Sequence, residues 1–360
     1  MALGDGAGAI DAGAADAAGA ADAGAADAAG ALGAATDGVA PGPCTQAAAI
    51  SVTGARNARA RERLRFMAVG TLSFRCPVLP DDARVAPNTG YELIDCGDGR
   101  RLERFGERIV DRPAATAMDP KQAARDSWAE EDLRFDRDRG WTGRDMTPWT
   151  VPLDGLVLEL RPTASGQLGV YPEHATFWPW LRDALSDADP ATPTVLHLFA
   201  STGATTLALV RGGAHVTHVD GSRPAVAWAR RNAELSGLAD APIRWIVDDA
   251  LAFTRREARR GRRYDGIVLD PPSYGHGPSG GRWELHDTLP ELLEALAAVA
   301  AADAFVLLTA HATGLEADEL GDALADAFGS ATAIGTKRVE LAATSGAVLP
   351  LGVAARMIRG

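Results

Sequence analysis

Between Thr194 and Tyr274 the chain alternates short apolar runs with polar tips: VLHLFASTGATTL, VTHVD, IRWIVDDA and YDGIVLDPPSY. Each run has strand length and ends in loop-forming residues, and helical patterns fill the gaps between them. That alternation predicts βαβ units and a parallel sheet. It sets the tips Ala200 to Thr206, Asp220, Asp248 with Asp249, and Asp270 on one carboxyl edge, which is where such sheets bind ligands. Further on, WELHDTLPELLEALAAVAAA has the spacing of one long helix through Leu289, Leu292, Leu293 and Leu296, and AFVLLTAH is a fifth strand. EADELGDALADAF is an amphipathic helix, and the rest is two long strands joined at Thr344, Ser345 and Gly346.

Upstream the period shortens. YELIDCGDGRRLERFG has turn chemistry at Gly97, Asp98 and Gly99 between alternating runs, which predicts a hairpin, and LDGLVLELRPT is a further strand. These place a small β-rich module at 86–165 before an α/β domain at 166–360. Trp128, Trp141 and Trp149 of the module are read as core rather than as base-stacking platforms.

Composition changes the picture at the start. Residues 1–50 are mostly Ala and Gly with six Asp and no Lys or Arg, and DAGAADAAGA occurs at 11–20 and again at 22–31. An 11-residue repeat can wind a helix, but this one has only Ala for an apolar face and Gly in every copy. Residues 1–85 are therefore expected to be a disordered extension and linker. The Arg56, Arg59, Arg61, Arg63 and Arg65 run is read as its solvated end. Half of the net charge of −12 lies in the first 50 residues, so the remainder is mildly acidic and a large nucleic-acid footprint is disfavoured. No apolar run approaches about 18 residues, so no membrane span is expected. Cys44, Cys76 and Cys96 show no metal-ligand spacing, which predicts no metal and a cytoplasmic setting.

The tips suggest the ligand. A pyrophosphate-binding turn needs G-x-G-x-x-G, and this turn offers only Gly203, which disfavours a dinucleotide and hence a nicotinamide oxidoreductase. S-adenosylmethionine has no phosphate and carries a sulfonium cation, so a looser turn beside carboxylates suits it better. Asp220 can accept two ribose hydroxyls, and Asp248 or Asp249 can meet an adenine amino group.

At this point LFASTGATTLALVRGGAHVTHVDGSRPAVAWARRNAELSGL, PIRWIVDDA and LDPPSYG together resemble the class I methyltransferases related to bacterial large-subunit ribosomal RNA base methyltransferases, a group with a cytosine-C5 and a guanine-N7 branch. The resemblance implies a Rossmann-like seven-stranded sheet closed by an antiparallel hairpin, S-adenosylmethionine as cofactor, and an RNA base as acceptor. The implied cofactor-binding residues are Phe199, Ala200, Ser201, Thr202 and Gly203; Asp220, Gly221 and Ser222; and Asp248, Asp249 and Ala250. Tyr171 and Glu173 join them from LGVYPEHATFWPWL, where His174 follows and Trp178 and Trp180 pin a helix.

The implied catalytic tip is Asp270, Pro271, Pro272, Ser273, Tyr274. In amino methyltransferases such a tip takes the amine's hydrogens on the carboxylate and a proline carbonyl, while an aromatic stacks on the ring. Here Tyr274 comes one residue later than in the DPPY tetrapeptide. Cytosine-C5 methylation needs a thiolate. No cysteine follows Cys96, and the place after strand five reads LLTAHATG, with Thr309, Ala310 and His311. N-methylation is therefore favoured, with His311 either structural or an acceptor contact. The loop from His276 to Glu284 is expected to close over the acceptor, Arg282 and Trp283 gripping a base. Arg259, Arg260, Arg262 and Arg263 fall at the opposite edge as a solvated turn. The acidic charge keeps open a small-molecule or protein acceptor.

Overall fold

The computed structural model describes residues 90–188, 192–276, 282–312, 314–329 and 333–359. The expected extension, with Cys44, Cys76 and the arginine run, lies outside them. Five strands, β1 (Tyr91–Gly97), β2 (Arg100–Phe105), β3 (Arg108–Pro113), β4 (Leu133–Asp136) and β5 (Gly140–Gly143), form one sheet in that order. β6 (Trp149–Leu153) and β7 (Leu156–Leu160) pair as a separate hairpin. Both β1–β2 and β6–β7 turn on Asp-Gly. Asp98 and Gly99 have φ of 51° and 74°, and Asp154 and Gly155 have 47° and 75°. Two left-handed residues in a row are what a type I′ turn requires. The three tryptophans are structural, as read from the sequence: their indole N–H groups bond Asp95 Oδ2 (Trp128, 2.8 Å), the Thr163 carbonyl (Trp141, 2.6 Å) and the Phe105 carbonyl (Trp149, 3.1 Å).

The second sheet has seven strands: β8 (Thr194–Leu198), β9 (His215–Asp220), β10 (Ile243–Val247), β11 (Tyr264–Leu269), β14 (Ala300–Ala310), β15 (Ala333–Ala342) and β16 (Val348–Ile358). Their order is β10-β9-β8-β11-β14-β16-β15. The first five are parallel, and β16 runs antiparallel between β14 and β15. Successive residues alternate between two apolar layers: Val195 and Val268 join one, Leu196, Ile267 and Leu269 the other. Burial on both faces explains why these strands read as unbroken apolar runs. Helices α1 (Trp178–Ser186), α2 (Ala204–Arg211), α3 (Arg223–Leu235), α4 (Ala250–Arg259), α5 (Leu285–Ala297) and α6 (Ala317–Phe328) complete the α/β layers.

One helix differs from expectation. Trp283 and Glu284 belong to β13 (Arg282–Glu284), paired with β12 (Tyr274–His276), and α5 stops at Ala297. Ala300 already pairs with Tyr264, so strand pairing overrides the helix propensity of the alanine run.

Inside the second sheet, His197 Nδ1 lies 2.7 Å from Thr206 Oγ1, which lies 2.8 Å from His218 Nδ1. All three side chains are buried. Burial pushes His197 down to about 3 and His218 well below its ordinary value, so both rings are neutral.

The β15–β16 turn reaches back to β1. Thr344 N–H bonds the Leu93 carbonyl at 2.9 Å, Ser345 N–H bonds Ile94 at 3.1 Å, and Ser345 Oγ donates to Asp95 Oδ1 at 2.6 Å. Asp95 also accepts from Ala123 N–H and Trp128, so a buried carboxylate is saturated where first and last strands meet.

Candidate active site

The four tips share one edge. After β8 the chain turns sharply, with Phe199, Ser201 and Gly203 at φ of 52°, 47° and 84°. A Cβ on Gly203 would stand 2.8 Å from the Ala229 Cβ of α3, so the turn needs glycine both for conformation and for packing. Thr202 Oγ1 bonds the Gly169 carbonyl, and Asn232 of α3 donates to the Thr202 carbonyl at 2.9 Å, holding the turn from both sides. Asp220 accepts Ser201 N–H on one oxygen and Ser222 N–H on the other, each at 2.8 Å. Burial raises its carboxyl against those two amides. One further lone pair on each oxygen remains for a pair of hydroxyls.

The third tip is tied to the second, because Asp248 N–H bonds the Asp220 carbonyl at 3.1 Å. Its carboxylates have local work: Asp248 pairs with Arg256, and Asp249 caps α4 by accepting Ala252 N–H at 2.8 Å. Ser222 likewise caps α3, its hydroxyl accepting Ala225 N–H at 3.3 Å, while Gly221 is exposed beside it and Ala250 is buried at the start of α4.

The loop before α1 bridges the first and fourth tips. The Tyr171 phenol lies near Ser201, and its ring stacks on His174 at 5.9 Å between centroids. Burial raises the Tyr171 phenol, with Asp270 and Glu173 adding to the effect. Trp178 and Trp180, both buried, anchor this segment, and the Trp178 indole donates to Thr205 Oγ1 at 3.1 Å.

At the fourth tip, Asp270 follows β11 and lies between two imidazoles. Its Oδ2 is 3.3 Å from His174 Nε2, its Oδ1 is 3.2 Å from His311 Nε2, and Thr309 Oγ1 donates to Oδ1 at 2.6 Å. Burial alone would raise this carboxyl; His311 and His174 overcome it and hold it well below the carboxylate range. Burial alone would lower His311, and Asp270 instead raises it to about 10. His174 moves up for the same reason. The His311 Nδ1 lies 2.7 Å from the Leu351 carbonyl of β16, which assigns Nδ1–H as donor and turns Nε2 toward Asp270. Glu173 is 4% exposed and faces this cluster.

Pro272, Ser273 and Tyr274 lead away from it. The Trp283 indole donates to the Pro272 carbonyl at 2.5 Å, Ser273 Oγ donates to the His311 carbonyl at 3.3 Å, and Tyr274 is 56% exposed at the start of β12. Trp283 itself is buried and packs on Phe199 at 5.0 Å between centroids, so it braces the tip and does not grip a base. Residues 277–281 and the Arg282 side chain lie outside the described residues. The Arg259, Arg260, Arg262 and Arg263 turn is exposed at the amino edge of the sheet, away from the four tips.

Sequence reasoning missed the convergence of His174, Thr309 and His311 on Asp270. The available signal was β14: its Leu308 pairs with Leu269, so the next residue, Thr309, must stand beside Asp270. The donor set suits S-adenosylmethionine: a turn with one glycine and no phosphate cradle, a two-oxygen acceptor at Asp220, and carboxylates at the second, third and fourth tips for a cationic sulfur.

Comparison with known proteins agrees. A family described as "Conserved hypothetical protein 95" matches residues 175–292. A SAM-dependent methyltransferase from Agrobacterium tumefaciens is 34% identical, with a TM-score of 0.72 over 75% of this chain and 91% of that one. A methyltransferase solved with SAH, SMU.776, shares the fold at 16% identity, with a TM-score of 0.61 and 76% of each chain covered. The "Ribosomal RNA large subunit methyltransferase I" of Pseudoalteromonas translucida is 39% identical over 135 residues, 37% of this chain and 33% of that protein. This chain thus spans about a third of that curated relative. Coverage of and identity to the Agrobacterium protein, on the same fold, make the chain a member of the S-adenosylmethionine-dependent methyltransferases.

Proposed function

We propose that this protein methylates a ring nitrogen of an RNA base, with the domain from residue 166 onward holding the cofactor. The observation that carries the reading is the fourth tip: a half-buried carboxylate, Asp270, facing the His174 on which Tyr171 stacks, with no cysteine in the sequence after Cys96. S-adenosylmethionine supplies a methyl group on a sulfonium, which an in-line nucleophile displaces. The chain's own task is alignment. Asp220 and the Gly203 turn fix the donor's ribose end. Asp270 and the adjoining proline carbonyls orient N–H groups of the acceptor, so that an in-plane lone pair meets the methyl carbon. Exposed Tyr274 supplies a stacking face at the mouth. A base nitrogen needs no covalent intermediate, which accords with the missing thiol. The name of the Pseudoalteromonas relative supports RNA as the acceptor class.

The acidic net charge of −12 favours a second reading, a small-molecule or protein acceptor. Incubation with isotopically labelled S-adenosylmethionine and fractionated cell extract separates the two. Label in an N-methylated nucleoside after RNA digestion is expected. Label confined to protein or to small molecules would overturn the RNA assignment.

A further inference from the structure

We propose that Glu173, His174 and His311, closed by Asp270, bind one divalent transition ion of the zinc class. The ligating atoms of Glu173, His174 and His311 all lie within 4.8 Å of one another. Glu173 is 4% exposed and its Oε2 is buried without a hydrogen-bond partner, while the buried Nε2 atoms of His174 and His311 face the Asp270 oxygens at 3.3 and 3.2 Å. A buried carboxylate oxygen left in that state is costly. A cation shared with the two imidazoles removes the cost.

The spacing fits. Ligands held at ~2.0–2.1 Å in a tetrahedron stand roughly 3.4 Å apart. Asp270 oxygens are already 3.3 Å from His174 Nε2 and 3.2 Å from His311 Nε2. Glu173, His174 and His311 have to draw in from separations of up to 4.8 Å. The surroundings are those of a metal site as well. The Leu351 carbonyl takes the His311 Nδ1–H at 2.7 Å, so Nε2 is the nitrogen that exchanges its proton for an ion, and Thr309 Oγ1 steadies Asp270 at 2.6 Å. Two imidazoles with two carboxylates suit a zinc-class ion better than magnesium or calcium, which prefer all-oxygen shells. Two carboxylates also balance its charge. The sequence concealed this set because its members lie on three separated segments and none is a cysteine. The inference rests on the donor geometry and holds whichever acceptor the enzyme uses.

The test uses the full chain, stripped with chelator and titrated with Co²⁺ alone, with Zn²⁺ as competitor. The expected result is one equivalent bound, a visible ligand-field band displaced by Zn²⁺, and affinity lowered by at least roughly 10- to 100-fold in both His311→Ala and Glu173→Gln. S-adenosylhomocysteine binding by calorimetry, measured on the same samples, reports the cofactor site separately and verifies that His311→Ala is folded. If His311→Ala does not fold, Glu173→Gln decides, because it keeps size and shape. Absence of any Co²⁺ or Zn²⁺ binding would overturn the site, as would binding that neither variant moves. Displacement of the metal by saturating S-adenosylhomocysteine would also overturn it, by returning Glu173 to the cofactor.

Discussion

Two pairs of histidines stand within one sheet's reach and behave in opposite ways. His197 and His218 share the hydroxyl of Thr206 in the interior, with ring centroids 6.2 Å apart, and both are driven neutral. His174 and His311, with centroids 5.8 Å apart, share the carboxylate of Asp270 at the strand edge, and both are driven toward the charged form. His197 and His218 are buried and His174 and His311 are half-buried, but desolvation pushes all four rings in the same downward direction. The partner between the rings differs, a hydroxyl in one and a carboxylate in the other, and that difference in charge reverses the direction in which the rings shift.

Removing the carboxylate should break the contrast most severely. Asp270→Ala is expected to lower turnover on the order of 10²- to 10⁴-fold while S-adenosylhomocysteine affinity, measured by calorimetry, stays within about two-fold; retained turnover would end the catalytic assignment. Thr206→Val acts on the other pair. It strands two buried Nδ1 atoms and should cost roughly 2–4 kcal/mol in urea unfolding, with no change in the ratio of turnover to folded enzyme.

Asp220→Ala sharpens the comparison within the edge itself, because Asp220 is held by amides and not by imidazoles. It should weaken S-adenosylhomocysteine binding by about 10- to 100-fold, the loss of two hydroxyl partners on one carboxylate. A further effect is graded with pH. His197 and His218 titrate lower in the fold than the ordinary 6.5 of the unfolded chain, so the unfolded state takes up protons first. Stability should be intact above that value and fall as pH drops from it toward about 3, by up to about 1.4 kcal/mol per pH unit for each ring. Unfolding midpoints that do not move between neutral and acid pH would contradict the neutral assignment.

The four tips could be read from the chain because each is local: an apolar run, then a polar residue, at intervals that βαβ geometry imposes. The Asp98–Gly99 turn was legible for the same reason, since two left-handed residues need that dipeptide, whereas Asp154–Gly155 falls inside what reads as one strand and turns a hairpin instead. What surrounds Asp270 was not legible. His174 comes from a loop before α1, and Thr309 and His311 from the end of β14, so only the register of β11 against β14 brings them to one point. The misreading of Trp283 has a similar cause. Sequence shows an aromatic in a glycine-rich loop, while its contact with Phe199 and its bond to Pro272 depend on a strand far upstream. The long alanine helix failed because alanine has no side chain with which to resist recruitment into a pairing sheet.

The turn between β15 and β16 clasps β1 across 250 positions of chain, and β16 also supplies the carbonyl that steers His311. Such closure delays maturation: loop entropy must be overcome before these contacts repay it. A polypeptide still emerging from synthesis can complete its donor-binding turns early. The pocket's reactive end is finished only when the final hairpin seats, so catalytic competence is coupled to completion of the tertiary structure.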